Sequence, residues 1–243
     1  MRYLIKFSYD GTLFKGFQRQ KDVKNVQGTL ESVLSKYFNE EILIKGSGRT
    51  DAGVHAINQG AHFDVDKKIT NNDLALINES LKGEIIINKI KRVPDDFHAR
   101  FNAVEKTYTY KIYLGKDSSK IGYYYQINYD LDLKKMVGVA KLLEGMHDYH
   151  NFVSGTRDDY HSTIFSIKIK KKKNIILITF KGVGFYRYMV RHLVGAILDV
   201  DRGKASIEDV KNMLNNPNIS KNLSVVPADG LYLVDIKYVF WYN

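Results

Sequence analysis

Gly46-Ser47-Gly48-Arg49-Thr50-Asp51-Ala52-Gly53-Val54-His55-Ala56, directly after the strand-like Glu41-Ile42-Leu43-Ile44-Lys45, reads as a loop built for chemistry more than for packing. Its three glycines permit positive φ and close approach of the backbone to a partner, and Arg49 and Asp51 set opposite charges two residues apart. Familiar glycine-loop readings fail. Gly48 and Gly53 have the spacing of a phosphate loop, but Val54-His55 follows where Lys and Ser or Thr are required. Gly46-x-Gly48 opens a dinucleotide fingerprint, yet Asp51 stands at the third glycine, where its charge would repel a pyrophosphate. Asp51 is the one residue of the loop suited to nucleophilic or base catalysis, since a carboxylate is ionised at neutral pH. A turn or helix-cap role is the plainer alternative.

Upstream of this loop, Arg2 to Tyr9 alternates Tyr3, Ile5 and Phe7 against Leu4, Lys6 and Ser8, which predicts a strand ending at the turn-forming Asp10-Gly11. An irregular basic loop, Gly11 to Val26, leads into a helix in which Val26, Leu30, Val33, Leu34 and Phe38 recur at helical spacing. Downstream, His62 to Asp66 predicts a strand, Asn71 to Leu81 a helix with Leu74, Ile77 and Leu81 on one side, and Glu84 to Val93 a strand. The order is β-α-β-β-α-β, the split ferredoxin-like arrangement.

Beyond Pro94-Asp95-Asp96, Glu105 to Leu114 alternates Tyr108, Tyr110, Ile112 and Leu114 against Thr107, Thr109 and Lys111, so Tyr108 is expected on the apolar face. A strand near Tyr123 to Ile127, a helix near Leu133 to Glu144 and a hairpin of Thr163 to Lys170 with Ile175 to Lys181 follow. The longest helix is expected at Gly184 to Val200, then a short helix at Ile207 to Leu214 and a closing strand from Leu231 to Trp241. The second half repeats the element order of the first in elaborated form, without a residue-level repeat. With three prolines and no low-complexity linker, the chain is expected to be an α/β (α+β) protein of two halves, 1–103 and 104–243, sharing one sheet.

The 243 residues carry 37 lysines and arginines against 27 acidic residues, a formal charge of +10 that favours a polyanionic partner, nucleic acid ahead of a membrane surface. A solvated basic surface with no partner is the alternative, because the acidic residues are interspersed. There are no cysteines, which excludes disulfides and thiolate metal sites. Met1-Arg2-Tyr3-Leu4-Ile5-Lys6 reaches a charge too soon for a signal peptide, and no apolar run approaches about 18 residues, so a soluble, cytoplasmic protein is expected.

The string Gly48-Arg49-Thr50-Asp51-Ala52-Gly53-Val54-His55-Ala56 resembles the active-site signature of the bacterial tRNA pseudouridine synthase A family. The resemblance continues through Tyr9-Asp10-Gly11-Thr12, Gly16-Phe17-Gln18-Arg19-Gln20, Phe97-His98-Ala99-Arg100-Phe101, Lys106-Thr107-Tyr108, Met189-Val190-Arg191 and Gly230-Leu231-Tyr232-Leu233, in family order across nearly the whole chain. It implies two ferredoxin-like halves in one extended antiparallel sheet with the active site in a cleft between them. It also implies isomerisation of uridines 38 to 40 in the tRNA anticodon arm, a homodimer, and no metal or cofactor. Asp51 falls on the catalytic aspartate, Arg191 on the arginine set against it, and Tyr108 on the tyrosine that stacks on the target base. Arg49 falls on the arginine that helps displace that base, and Arg100 is a candidate phosphate contact. Asp51 would attack C1′ or C6, or remove the 2′ proton.

Read without the family, Tyr108 is a core residue, and Arg187 with Arg191, four apart on one helix, form a solvated basic edge. The run Lys170 to Lys173 caps a solvated hairpin or extends an RNA track. His55, His62, Asp64 and Asp66 match no metal-ligand spacing. The chain departs from the family at Lys82, where proline is common, at Phe165, where arginine is usual, and at Asp201, where glycine is typical. A basic module that binds tRNA without isomerising it is the runner-up, and a metal-dependent nuclease the third reading.

Overall fold

The computed structural model describes residues 1–217, 219 and 223–240. The chain divides into two compact units, residues 105–232 forming the second, with the segment from Leu233 grouped with residues 1–104. The expected second half, 104–243, includes that last segment.

In the first unit the elements are β1 (Arg2–Tyr9), α1 (Val26–Phe38), β2 (Lys45–Gly46), β3 (His55–Asp64), α2 (Asn71–Ser80) and β4 (Ile85–Arg92). β1 runs antiparallel between β3 and β4, with Arg2 opposite Asp64 and Tyr3 opposite Arg92. Each helix starts where a side chain satisfies its free N–H groups. The Asn25 side chain accepts from Gly28 N at 2.8 Å, and Thr70 and Asp73 form a reciprocal capping box. Leu30, Leu34 and Ile77 on those helices are fully buried, as are Ile5, Phe7 and Phe63 on the strands. Each such side chain stabilises the fold by about 1.5 to 3 kcal/mol.

Two differences from the sequence reading lie beside the glycine loop. Residues 41–44 are not a strand, although Ile42 and Ile44 alternate into the core. The reason is that their N–H groups are taken by side chains of α1: Ile42 N donates to Ser35 Oγ at 2.8 Å and Ile44 N to Glu31 Oε1 at 3.1 Å. β3 starts at His55 and not at His62, because the polar stretch Asn58-Gln59-Gly60 hides the alternation of a strand that is paired along its length.

The second unit comprises β5 (Ala103–Leu114, its first residues in the first unit), β6 (Tyr125–Ile127), α3 (Leu133–Leu142), β7 (Gly145–Asp148), β8 (His161–Lys172), β9 (Ile175–Gly182), α4 (Met189–Asp201) and α5 (Ile207–Asn215). β9 pairs antiparallel with β5 and β8, β7 pairs antiparallel with β8, and β6 runs parallel to β5. β7 was not foreseen. The expected apolar and polar faces of β5 are both buried in its middle, Thr107 and Thr109 as well as Tyr108 and Tyr110, and Thr109 bonds Thr179 at 3.0 Å across the ladder. α4 begins five residues later than expected, since Tyr188 ahead of it stands at φ 60 in the left-handed region and residues 183–188 are not helical. The chain closes on β10 (Leu231–Tyr238); the expected end of that strand, Trp241, lies outside the described residues.

Candidate active site

Asp51 opens a tight turn. Val54 N donates to Asp51 O at 3.2 Å, and Gly53 takes φ 81 at the third position, a conformation that favours glycine. Backbone holds this turn from two sides. Phe17 N donates to Thr50 O at 3.0 Å, and at Gly16, φ 96, a Cβ would stand 3.1 Å from that oxygen. At Gly11 a Cβ would lie 2.4 Å from Val54 O and 2.8 Å from Gly53 C, contacts that no side chain tolerates. Both glycines are therefore spaces into which the loop fits. Asp51 in this frame is half-buried and Arg49 is exposed.

Three side chains finish the mount, none of which the sequence reading singled out. The Tyr9 hydroxyl bonds Thr50 Oγ1 at 2.8 Å, and burial pushes Tyr9 up to about 12, so it stays a neutral phenol. Gln59, fully buried, donates from Nε2 to Gly48 O at 3.2 Å and accepts from Gly60 N at 3.0 Å. Ser47 Oγ bonds the Tyr238 hydroxyl, which fits because position 60 is glycine: a Cβ there would overlap that oxygen. Nothing in the sequence marked Gln59, since the polar stretch Asn58-Gln59-Gly60 hides the strand in which it is buried.

His55, at the end of the loop, accepts from Gly11 N at 3.1 Å through Nδ1. The same ring nitrogen lies 3.4 Å from Asp10 Oδ1. His62 Nδ1 likewise accepts from Ala99 N at 3.1 Å, and burial, helped by Arg2, pulls its pKa down to about 4. Asp64 is held by Arg2 through two bonds of 2.8 Å, while Asp66 is exposed. Three of the four residues considered as metal ligands thus have structural partners.

In the second unit Arg191 sits in the first turn of α4, where its Nε donates to Val226 O at 2.7 Å and its guanidinium lies 4.4 Å from the centre of the Tyr188 ring. The helix beneath it is buried continuously from Leu193 to Val200. The segment supplying Val226 is anchored by Asp199, whose carboxylate accepts from Ser224 N at 2.6 Å, Ser224 Oγ at 2.9 Å and Arg202 at 2.5 Å. Burial pushes Asp199 up, but these bonds outweigh it and hold the carboxyl below its usual range. At Gly195 a Cβ would stand 1.7 Å from Ser224 O. Tyr108 on β5 is 7% exposed and meets Phe185 edge to face at 5.2 Å.

Arg100 belongs to a separate loop of the first unit and is exposed, as is the Lys170 to Lys173 run at the tip of the β8–β9 hairpin. Lys82 stands at φ 53, which proline cannot adopt. Asp201 accepts from Asp132 N at 2.9 Å and so ties the end of α4 to the start of α3. Phe165 lies on β8 at a bulge and is 49% exposed. Among the described residues no helix is long and apolar enough to cross a membrane.

Residues 6–102 and 139–239 match the family model described as tRNA pseudouridine synthase. A tRNA pseudouridine synthase A of Malacoplasma penetrans is 39% identical over 98% of this chain and 100% of its own length. The tRNA pseudouridine synthase A of Limosilactobacillus reuteri is 38% identical over 98% of this chain and 96% of its own. The solved H/ACA RNP bound to a substrate RNA containing 2′-deoxyuridine aligns with 79% of this chain and 51% of that one, at 12% identity and a TM-score of 0.35, a likeness too slight to bear on the fold.

Proposed function

Because the chain belongs to the tRNA pseudouridine synthase family, whose members are isomerases acting on tRNA, we propose that it converts uridines 38, 39 and 40 of the anticodon arm to pseudouridine with Asp51 at the reacting centre. The observation that carries this reading is Asp51 itself: the sole carboxylate of its loop, at the head of a turn fixed by glycines and backbone bonds. Preorganisation of this kind lets a charged group act without first reorganising its surroundings.

The reaction breaks the bond from C1′ to uracil N1 and forms one from C1′ to C5. The C5 proton departs, N1 ends protonated, and no atom or electron is gained or lost overall. It calls on no redox partner, nucleotide or metal. Asp51 attacks C1′ or C6, or removes the 2′ proton. Arg191 supplies the counter-charge that keeps the carboxylate ionised where water is scarce, and Tyr108 supplies a flat ring to retain the uracil while it turns. Arg49 assists in displacing the base, and Arg100 contacts phosphate. A cytoplasmic homodimer that presents both basic surfaces to one tRNA completes the reading.

The test is incubation of wild type and Asp51→Asn with unmodified tRNA in EDTA, followed by mapping of pseudouridine in the anticodon arm, with tRNA binding measured alongside. Conversion by wild type alone, with binding by both, is expected. Binding by both without conversion by either would leave a tRNA-binding module, and cleavage of the RNA would point to a nuclease.

A further inference from the structure

One surface of the first unit is built with more care than its exposure warrants. Phe101 is 76% exposed, the most exposed phenylalanine among the described residues, yet the loop that presents it is closed at every turn. His98 N donates to Asn102 Oδ1 at 2.7 Å, Asn102 N returns to His98 O at 2.9 Å, and Arg100 N donates to His98 Nδ1 at 3.1 Å. The loop is pinned from below by Phe97, which is buried with Leu4, Val93 and Ala99 and stacks on Phe240 at 5.4 Å. It is pinned from the side by Ala99 N on His62 and by Val239 N on Asn102 O at 3.0 Å. A large apolar ring on a rigid mount is preorganised for a contact that lies outside the unit.

The chemistry around the ring says what that contact is. The His98 ring lies 4.3 Å from the Phe101 ring at 30°, backing it, and the Arg100 guanidinium is 5.8 Å from its centre. Behind His98 stands His62 at 4.8 Å, and Lys45 pairs with His62 across β2 and β3. Burial, with the positive charges of Arg2, Arg100 and Lys45 beside it, holds the His98 imidazole below its ordinary pKa. Asp64, the nearest acid on β3, is already engaged by Arg2. A flat ring in a positive field selects a partner with a π-face and negative charge, a nucleobase with its phosphate. The base must be unpaired and unstacked, because the free face of Phe101 can only meet the free face of a base.

We propose that Phe101, backed by His98 and flanked by Arg100, is a stacking platform for an unpaired tRNA nucleotide other than the target uridine. The proposal rests on tRNA being the substrate. The platform shares β2 and β3 with the Asp51 loop, since Lys45 precedes that loop and His62 lies on the strand that follows it, so a nucleotide seated there is held by the frame that positions the carboxylate.

The test compares wild type, Phe101→Ala and Phe101→Trp with unmodified tRNA and with a fully paired RNA duplex. Phe101→Ala should bind tRNA about tenfold more weakly, with the loss in KM and not in kcat, and should bind duplex as wild type does. Phe101→Trp should keep wild-type affinity, and its added indole emission should be quenched by tRNA and not by duplex. Unquenched emission, or equal affinity of Phe101→Ala and wild type, overturns the platform even if pseudouridine forms. If wild type makes no pseudouridine, the functional reading fails, and the quenching still decides the platform. Sedimentation of the variants supplies the remaining arm: if Phe101→Ala shifts the protein to a smaller oligomer and the binding defect vanishes at concentrations that restore it, the ring contacts a second copy of the chain and the platform is overturned.

Discussion

In the first unit glycine packing and backbone bonds frame the turn that carries Asp51, whereas in the second Arg191 rests on a strap that the buried Asp199 carboxylate of its own helix anchors. Around Asp51 the fixed points include carbonyls and amides of residues 50 to 54 pressed against Gly11 and Gly16. Around Arg191 the fixed points include Val226 O, on a segment that is held in turn by the Asp199 carboxylate, and the Tyr188 ring. The first arrangement ties the geometry of the site to local backbone fit. The second ties it to the stability of the unit, because Asp199 anchors the strap that receives the arginine.

Glycine substitutions should separate the two. Gly195→Ala would drive a methyl into Ser224 O, and neither the helix nor the strap can retreat cheaply; a loss of about 3 kcal/mol or more in urea unfolding is expected. Gly11→Ala meets backbone at Val54 and Gly53, but in a surface turn that can shift outward, so about 1 to 3 kcal/mol is expected. Its effect on turnover should be the larger, about a hundredfold in kcat, because the shift moves Asp51. Equal stability losses with equal activity losses would break the contrast.

Titration offers a second separation. The folded pKa of His62 lies near 4, below its unfolded value of about 6.5, so the unfolded chain binds more protons in that window. The stability this supplies is present above pH 6.5 and lost as pH falls from there toward 4, up to about 3 kcal/mol. His62→Gln should flatten that part of the curve. Asp199 is depressed below the ordinary carboxylate value, so its contribution survives to lower pH and disappears as pH falls through its folded pKa. Asp199→Ala should cost about 3 kcal/mol at pH 7, since it strands Arg202 and Ser224, and the gap from wild type should narrow only below about pH 4. Midpoints measured in urea from pH 7.5 to 3 check both.

Periodicity made β1, α1, α2, the β8–β9 hairpin and α5 legible, because each has one buried face and an ordinary cap or turn. It failed where tertiary partners override local preference. Ile42 and Ile44 alternate as a strand does, yet Ser35 and Glu31 satisfy their amides; Tyr188 accepts a left-handed conformation that no propensity anticipates. The Asp51 loop itself was readable because glycine and a lone carboxylate are visible as letters. Its mounts on Tyr9, Gln59 and Tyr238 were not, because they join residues far apart in sequence through single polar atoms.

The smallest expected effect tests the comparison most closely. Tyr9→Phe removes only the hydroxyl that meets Thr50, leaving a buried Oγ1 short of a partner beside Asp51, and should cost about 1 kcal/mol. If backbone and glycine packing hold the loop, the carboxylate stays in place and kcat falls only a few fold, with KM for tRNA unchanged. The measurement is kcat and KM on unmodified tRNA beside a urea midpoint. A fall as deep as that of Gly11→Ala, without a matching loss of stability, would mean that the hydroxyl pair is what aims Asp51. The two units would then position their functional groups by the same kind of contact.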